Sequence, residues 1–191
     1  MKLGTRDASK LAEFVAKHPT ITVGSVEEAA KFGSILVLAV KGGEGVPVAT
    51  LTAAGKDNLK GKLILDAANP IGGAPDRGVL PYEKFAEGSL GEHLQAAFPE
   101  AHFVKAWNSV GSSRFYQPKF EHPATRPTMP ICGNNADAKA KAKEILDKFG
   151  WDTIDFGSQH SAGPIEALCQ LWCAHGFLNG SWTHAIKFLS T

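Results

Sequence analysis

No stretch of the chain approaches the roughly 20 consecutive apolar residues that cross a bilayer, and Met1-Lys2-Leu3-Gly4 does not open a signal peptide. Charge of one sign is also missing. Twenty Lys and Arg stand against 19 Asp and Glu, a formal net charge of +1, and no Lys/Arg run is long enough to override that balance. Nothing electrostatic therefore points to nucleic acid or an anionic membrane as partner, and a small molecule is the expected ligand. Three cysteines, Cys132, Cys169 and Cys173, are too few and too unevenly placed for a disulfide framework, so a reducing, cytoplasmic compartment is expected. The chain has no nucleophile elbow, no P-loop and no carboxylate pair at catalytic spacing, which removes the familiar hydrolytic and phosphoryl-transfer chemistries.

What is present alternates between strand and helix signals. Leu63, Ile64 and Leu65 leave no polar face, as expected of a parallel strand covered on both sides by helices, and Pro70 ends it. Ligands of open α/β sheets collect beyond the carboxyl ends of strands, where Asn69 falls. Ile35 to Val40 is a second such run and predicts a second buried strand. Upstream, Met1 to Leu3 reads as the tail of a strand, Gly4-Thr5-Arg6 as its exit and Asp7 as the cap of a helix carrying Leu11, Phe14 and Val15. Thr20 to Val23 is a short strand, and the capping box Ser25-Val26-Glu27-Glu28 opens a helix to about Phe32.

Pro47 starts a helix that stops near Gly55, and Lys56 to Gly61 reads as a polar turn. Ser89-Leu90-Gly91-Glu92 is a second capping box whose helix ends before Pro99, and His102 to Trp107 is the next strand. Phe115 to Pro127 is proline-rich and aperiodic, a long loop. Thr128 to Cys132 returns to strand. Asn134 or Asn135 caps a helix with Ala138, Ala142, Ile145, Leu146 and Phe149 on one face and Gly150 past its end. Trp151 to Asp155 is the last strand, and Pro164 opens a C-terminal helix with Leu168, Leu171 and Trp172. The alternation predicts a single doubly wound, mostly parallel α/β domain over residues 1–191.

Five segments carry a resemblance: Gly4-Thr5-Arg6-Asp7, Leu36-Val37-Leu38-Ala39-Val40, Gly61-Lys62-Leu63-Ile64-Leu65-Asp66-Ala67-Ala68-Asn69-Pro70, Lys105-Ala106-Trp107-Asn108 and Cys132-Gly133-Asn134. Together with Phe149-Gly150-Trp151 and Ile165-Glu166 to Leu171-Trp172, they make the chain similar to the dinucleotide-binding oxidoreductases related to NADPH-dependent deazaflavin (coenzyme F420) reductase. The resemblance implies a Rossmann fold, NADP(H) as cofactor, and hydride transfer between nicotinamide and a second redox partner such as a deazaflavin or flavin. It places Thr5 and Arg6 at the cofactor ribose, where an Arg suits the 2′-phosphate of NADP. It also places Ala39, Val40 and Lys41 beside the cofactor, Asn69 and Pro70 against the nicotinamide, and Asn108 and Ser109 in the second substrate's pocket.

Plain structural readings stand beside these: Arg6 on a solvated turn, Asn69 in an Asx turn, and Asn108 tying down its own loop. No catalytic residue stands out. Cys169 and Cys173, with His175 nearby, lack a second ligand pair at zinc spacing and read as core, so no metal is expected. His160 reads as solvent-exposed. Trp172, Phe177 and Trp182 suggest either a homodimer face or packing on the sheet.

The departure from the family matters as much. Its members open with a strand, a G-x-G-x-x-G turn and a helix before reaching the Gly-Thr-Arg segment, and that unit supplies the helix N-terminus that holds the pyrophosphate. Here it does not precede Gly4. In the strand order 3-2-1-4-5-6 the absent strand is the central one, so its neighbours should face a gap of about 10 Å. An N-terminally truncated chain is the expectation, with a remodelled sheet or completion by another chain as alternatives. Gly43-Glu44-Gly45 also lies between a strand and a helix, but Val48 stands where a third glycine belongs and Glu44 would repel phosphate. It is expected to be a plain connection. The alternative function is a non-catalytic or truncated Rossmann-like module that binds no dinucleotide by itself.

Overall fold

The two all-apolar runs form adjacent parallel strands. In the computed structural model, which describes residues 1–120 and 126–189, β3 (Ile35–Leu38) pairs with β4 (Leu63–Asp66), and β4 with β5 (His102–Lys105). Before them come β1 (Lys2–Gly4) and β2 (Thr22–Gly24), parallel to each other. After them come β6 (Thr128–Ile131) and β7 (Asp152–Asp155), also a parallel pair. A single antiparallel bridge between Lys105 and Cys132 joins β6 to β5.

Burial on both faces explains β4. Ile64 packs with Leu38, Leu51, Leu59, Leu94 and Phe103 on one side. Leu63 and Leu65 pack with Val104, Met129, Ile131 and Leu146 on the other. The first layer is covered by α2 (Val26–Phe32), α3 (Val46–Ala54) and α5 (Leu90–Ala97). α6 (Ala136–Phe149) covers the second through Ala138, Ala142 and Leu146, as its periodicity predicts. Asn135 caps α6 by accepting from the Ala138 N–H, and Gly150 ends it at φ +102°. α7 (Ala162–Asn179) begins against the amino end of α5, where Glu166 meets the Leu90 and Gly91 N–H groups, with Pro164 in its first turn.

The sheet is interrupted where the sequence predicts a gap. β1 and β3 are not hydrogen-bonded to one another, and β2-β1 and β3-β4-β5 remain separate sheets. A cavity of about 410 Å³ lies between them, lined by Met1 to Gly4 on one side and Ile35 to Val40 on the other. Backbone alternation fixes which groups face it. The Leu38 carbonyl accepts from Ala67 N–H on the β4 side, so the backbone of Val37 points the other way, into the slot. Likewise Met1 and Thr5 bond β2, which leaves Lys2 and Gly4 facing it.

Several expectations need correction. β3 is not buried on both faces: Val37 is 55% exposed, because α6 covers that face over β4 and β5 and stops short of β3. The polar turn at Lys56 to Gly61 contains a one-turn helix, α4 (Lys56–Leu59), held by the buried Leu59. The helix after Asp7 begins as a 3-10 turn (Ala8–Leu11) and continues as α1 (Ala12–Lys17), with no residue buried and Phe14 exposed. Ser25 and Glu28 form a complete capping box, but Ser89 and Glu92 form only half of one: Ser89 Oγ accepts from Glu92 N–H, and the Glu92 carboxylate turns to that hydroxyl and to His160. Trp151 lies just before β7. Of the long loop, residues 121–125 lie outside the described residues.

Candidate functional site

The register of the parallel sheet brings the expected site residues to one rim. Leu38, Asp66 and Lys105 are in line across β3, β4 and β5. The segments that follow, Ala39-Val40-Lys41, Asn69-Pro70 and Asn108-Ser109, therefore leave the sheet on the same side. β2, α2 and β3 make a β-α-β crossover that keeps β1 and β2 in the same sense, so Thr5 and Arg6 leave toward that rim across the slot. The Gly4 hydrogen faces Val26 and Ala29 of α2 at about 3.0 Å for any added Cβ, which explains a glycine where β1 meets that helix.

Each candidate has a defined local role. Thr5 Oγ1 accepts from Asp7 N–H (3.1 Å), and Asp7 caps the following turn through Ser9 N–H and hydroxyl. Arg6 is exposed, with no hydrogen-bond or ion-pair partner among the described residues. Lys10 is drawn to Asp7 (3.9 Å). Ala39 and Val40 line the slot, while Lys41 pairs with Glu44 at 2.5 Å. Gly42 and Gly43 lie so close to the exit of β4 that a Cβ on Gly42 would fall 1.8 Å from the Asn69 carbonyl oxygen. The Glu44 N–H donates to the Glu83 carboxylate (2.7 Å), so an anion already holds this turn, in keeping with a plain connection.

Asn69 and Asn108 hold each other. Asn108 Nδ2 donates to Asn69 Oδ1 (3.1 Å) and to the Ala68 carbonyl (3.0 Å), and Asn69 Nδ2 donates to the Asn108 carbonyl (3.2 Å). The clamp rigidifies the two loops and engages the carboxamide that the resemblance aims at nicotinamide. Asn108 Oδ1 is left buried without a protein partner. Ser109 is buried beside it, and Trp107 is held at φ +60° with its ring stacked on Phe115.

Sequence reasoning missed the charges beneath this clamp. Lys105 is fully buried, and its ammonium reaches Asp66 (2.8 Å), Glu166 (2.7 Å) and the Ala68 carbonyl (2.9 Å), using all three donors. Burial alone would lower its pKa, but the two carboxylates outweigh that and leave it raised. Glu166 also accepts from the Leu90 and Gly91 N–H groups at the start of α5, and Asp66 from Ala68 N–H. The signal was a lysine inside the apolar strand His102-Phe103-Val104-Lys105, which can be buried only with a counter-charge.

Three other groups singled out in the sequence have local settings. Cys169 and Cys173 lie 3.9 Å apart in the core with Leu80 and Trp172, and no group of metal-binding side chains occurs among the described residues. The sulfur–sulfur contact with Cys173 holds the Cys169 thiol down at about 7 against the opposing effect of burial. Trp172, Phe177 and Trp182 pack on one another, as the segment after α7 folds back so that Trp172 Nε1 donates to the His184 carbonyl (2.9 Å). His160 is exposed and pairs with Glu92. Among the described residues no helix is long and apolar enough to cross a membrane.

Comparison with known proteins agrees with this architecture. Residues 1–70 match the family model described as NADP oxidoreductase coenzyme F420-dependent. The metalloreductase STEAP3 of Rattus norvegicus is 30% identical over 112 residues, which are 59% of this chain and 21% of that protein, so the chain spans about a fifth of the length of this curated relative. A crystal structure from Arthrobacter sp. FB24, described as a candidate F420-dependent NADP-reductase, is 29% identical and superposes with a TM-score of 0.89, covering 99% of this chain and 88% of that one. The reductive aminase of Aspergillus terreus, solved with NADPH and ethyl levulinate, shares the fold at 14% identity and a TM-score of 0.62, over 94% of this chain and 54% of that one. Over its first 70 residues the chain is similar to the coenzyme F420-dependent NADP oxidoreductase family, and a Rossmann-like fold extends over nearly its whole length.

Proposed function

We propose that the chain serves an NADP(H)-dependent oxidoreductase in which a hydride passes between nicotinamide and a deazaflavin, flavin or other small redox partner. The observation that carries this reading is Arg6, a guanidinium without a partner at the exit of β1, on the same rim as the Asn69-Asn108 clamp. A guanidinium there suits the 2′-phosphate of NADP, which it can hold through two parallel hydrogen bonds. Pro70 and the clamped Asn69 would form a rigid wall for the nicotinamide, and Asn108 and Ser109 the near side of the second substrate. Hydride transfer between stacked rings depends chiefly on orientation, which agrees with a rim that offers no acid/base pair.

The fit to a dinucleotide is partial. Thr5, Arg6, Ala39, Val40, Lys41, Asn69 and Pro70 provide its adenosine-phosphate and nicotinamide sides, but a glycine turn leading into a helix N-terminus at the slot is not among the described residues. This favours a second reading, a Rossmann-like module that binds no dinucleotide by itself. Calorimetric titration of the chain with NADPH and NADH separates the two. Under the first reading NADPH saturates the chain, and Arg6→Gln weakens it by about ten- to a hundredfold while leaving NADH unchanged, the effect of one charge-assisted phosphate contact. Absence of saturation by either nucleotide rejects the first reading for this chain and selects the second.

A further inference from the structure

Cys169 and Cys173 stand one turn apart on α7, packed against the hairpin that follows β4, and their sulfurs are 3.9 Å apart. Ile71 and Tyr82 pair across the base of that hairpin. Two bonds fasten it to α7: the Tyr82 hydroxyl donates to the Glu166 carbonyl (2.8 Å), and Gln170 Nε2 donates to the Leu80 carbonyl (2.7 Å). The cysteine pair is thereby enclosed by Ile71, Leu80, Tyr82 and Trp172, with the Tyr82 hydroxyl beside Cys169. Exposures of 5% for Cys169 and 8% for Cys173 leave the pair just below the surface, within reach of a small ion. Neither thiol has a part in the hydride transfer proposed above.

Geometry excludes two fates of this pair. Cβ atoms one helical turn apart are about 5–6 Å from each other, whereas a disulfide needs about 3.5–4.5 Å, so the pair cannot oxidise to a disulfide while α7 stays helical. A structural zinc site needs four donors, and among the described residues no group of three or more His, Cys, Asp or Glu is placed to hold a metal. Two sulfurs and one hydroxyl fit a lower coordination number. With metal–sulfur bonds of about 2.3 Å, sulfurs 3.9 Å apart subtend about 116° at the ion, close to the trigonal angle. An ion therefore enters between them without distorting the helix. Thiolates are soft ligands that select Cu(I) over magnesium, calcium and manganese, and Cu(I) is satisfied by two or three donors.

We propose that Cys169, Cys173 and the Tyr82 hydroxyl bind one Cu(I) ion, the two thiols each losing a proton to solvent as the copper–sulfur bonds form. The ion's oxidation state does not change. The site does not depend on the dinucleotide reading, because it is measured without nicotinamide nucleotide and uses none of the rim residues. It is tested by anaerobic titration of the full chain with Cu(I) in competition with the colorimetric chelator bicinchoninate, and by X-ray absorption of the loaded chain.

One ion per chain should bind with a Kd below about 1 μM, and Zn(II) should not displace it. Cys169→Ser and Cys173→Ser should each weaken binding by about a hundredfold or more and Tyr82→Phe by about tenfold, while Cys132→Ser, in a separate cluster, leaves it unchanged. Circular-dichroism melts of the copper-free variants verify that each is folded. The absorption measurement needs no variant: the unmodified chain should show two sulfur neighbours at about 2.3 Å and one lighter neighbour. A shell without sulfur, undiminished binding in any of the three site variants, or loss of binding in folded Cys132→Ser overturns the proposal.

Discussion

Replacing Lys105 by Met tests how the rim is held. The substitution keeps length and apolar stem and removes only the cation, leaving Asp66 and Glu166 buried, with the backbone N–H groups of Ala68, Leu90 and Gly91 as their remaining donors. Breaking a buried ion cluster by deleting one partner costs about 3–5 kcal/mol. With unfolding entropy of about 2.1 cal/mol/K per residue, 191 residues give about 0.4 kcal/mol/K, so the melting temperature should fall by roughly 7–13 °C. The loss should be smaller at pH 5 than at pH 8, because a proton bound by an orphaned carboxylate replaces the missing cation. Adding Glu166→Gln to Lys105→Met should recover part of the loss, since it removes one of the two stranded charges. Circular-dichroism melts of the parent, single and double variants decide the matter. A single variant within about 1 °C of the parent, or a double variant that melts below the single one, would refute the argument. In the parent, the raised Lys105 pKa means that its contribution is complete below the unfolded lysine value near 10.4 and is lost only as pH rises above it, so Lys105 adds no pH dependence at neutrality.

Three further outcomes follow from the same geometry. In hydrogen exchange by NMR, the amides of Val37, Lys2 and Gly4, which face the slot, should exchange at least about a hundredfold faster than that of Leu38, which faces β4; equal protection would mean that the slot is closed in solution. Gly42→Ala should destabilise the chain by at least about 2 kcal/mol, because its Cβ would lie 1.8 Å from the Asn69 carbonyl, and denaturant midpoints within error of the parent would contradict that close approach. Thiolate absorbance should show one cysteine titrating at about 7, abolished by Cys169→Ala, with Cys132 pushed up to about 12 by burial. The lowered Cys169 value contributes stability above the free-thiol range near 8.5 that is lost as pH falls through about 7, and the raised Cys173 and Cys132 values oppose it at high pH.

Local chemistry made much of this protein legible in its sequence. The runs Ile35 to Leu38 and Leu63 to Asp66, the caps Asp7, Ser25 and Asn135, and Gly150 each act within a few residues, so their roles can be read from neighbours alone. So can the order of elements, and from it both the shared rim and the gap between β1 and β3. What only the tertiary structure decided is pairing between distant groups. Lys105 with Asp66 and Glu166, Asn69 with Asn108, and Glu83 on the Gly43-Glu44 turn depend on contacts across 39 to 61 residues of chain. A hydrogen bond or ion pair is worth little until two particular atoms meet within about 3 Å, and which atoms meet is set by how the layers stack, a property that no local stretch of sequence contains.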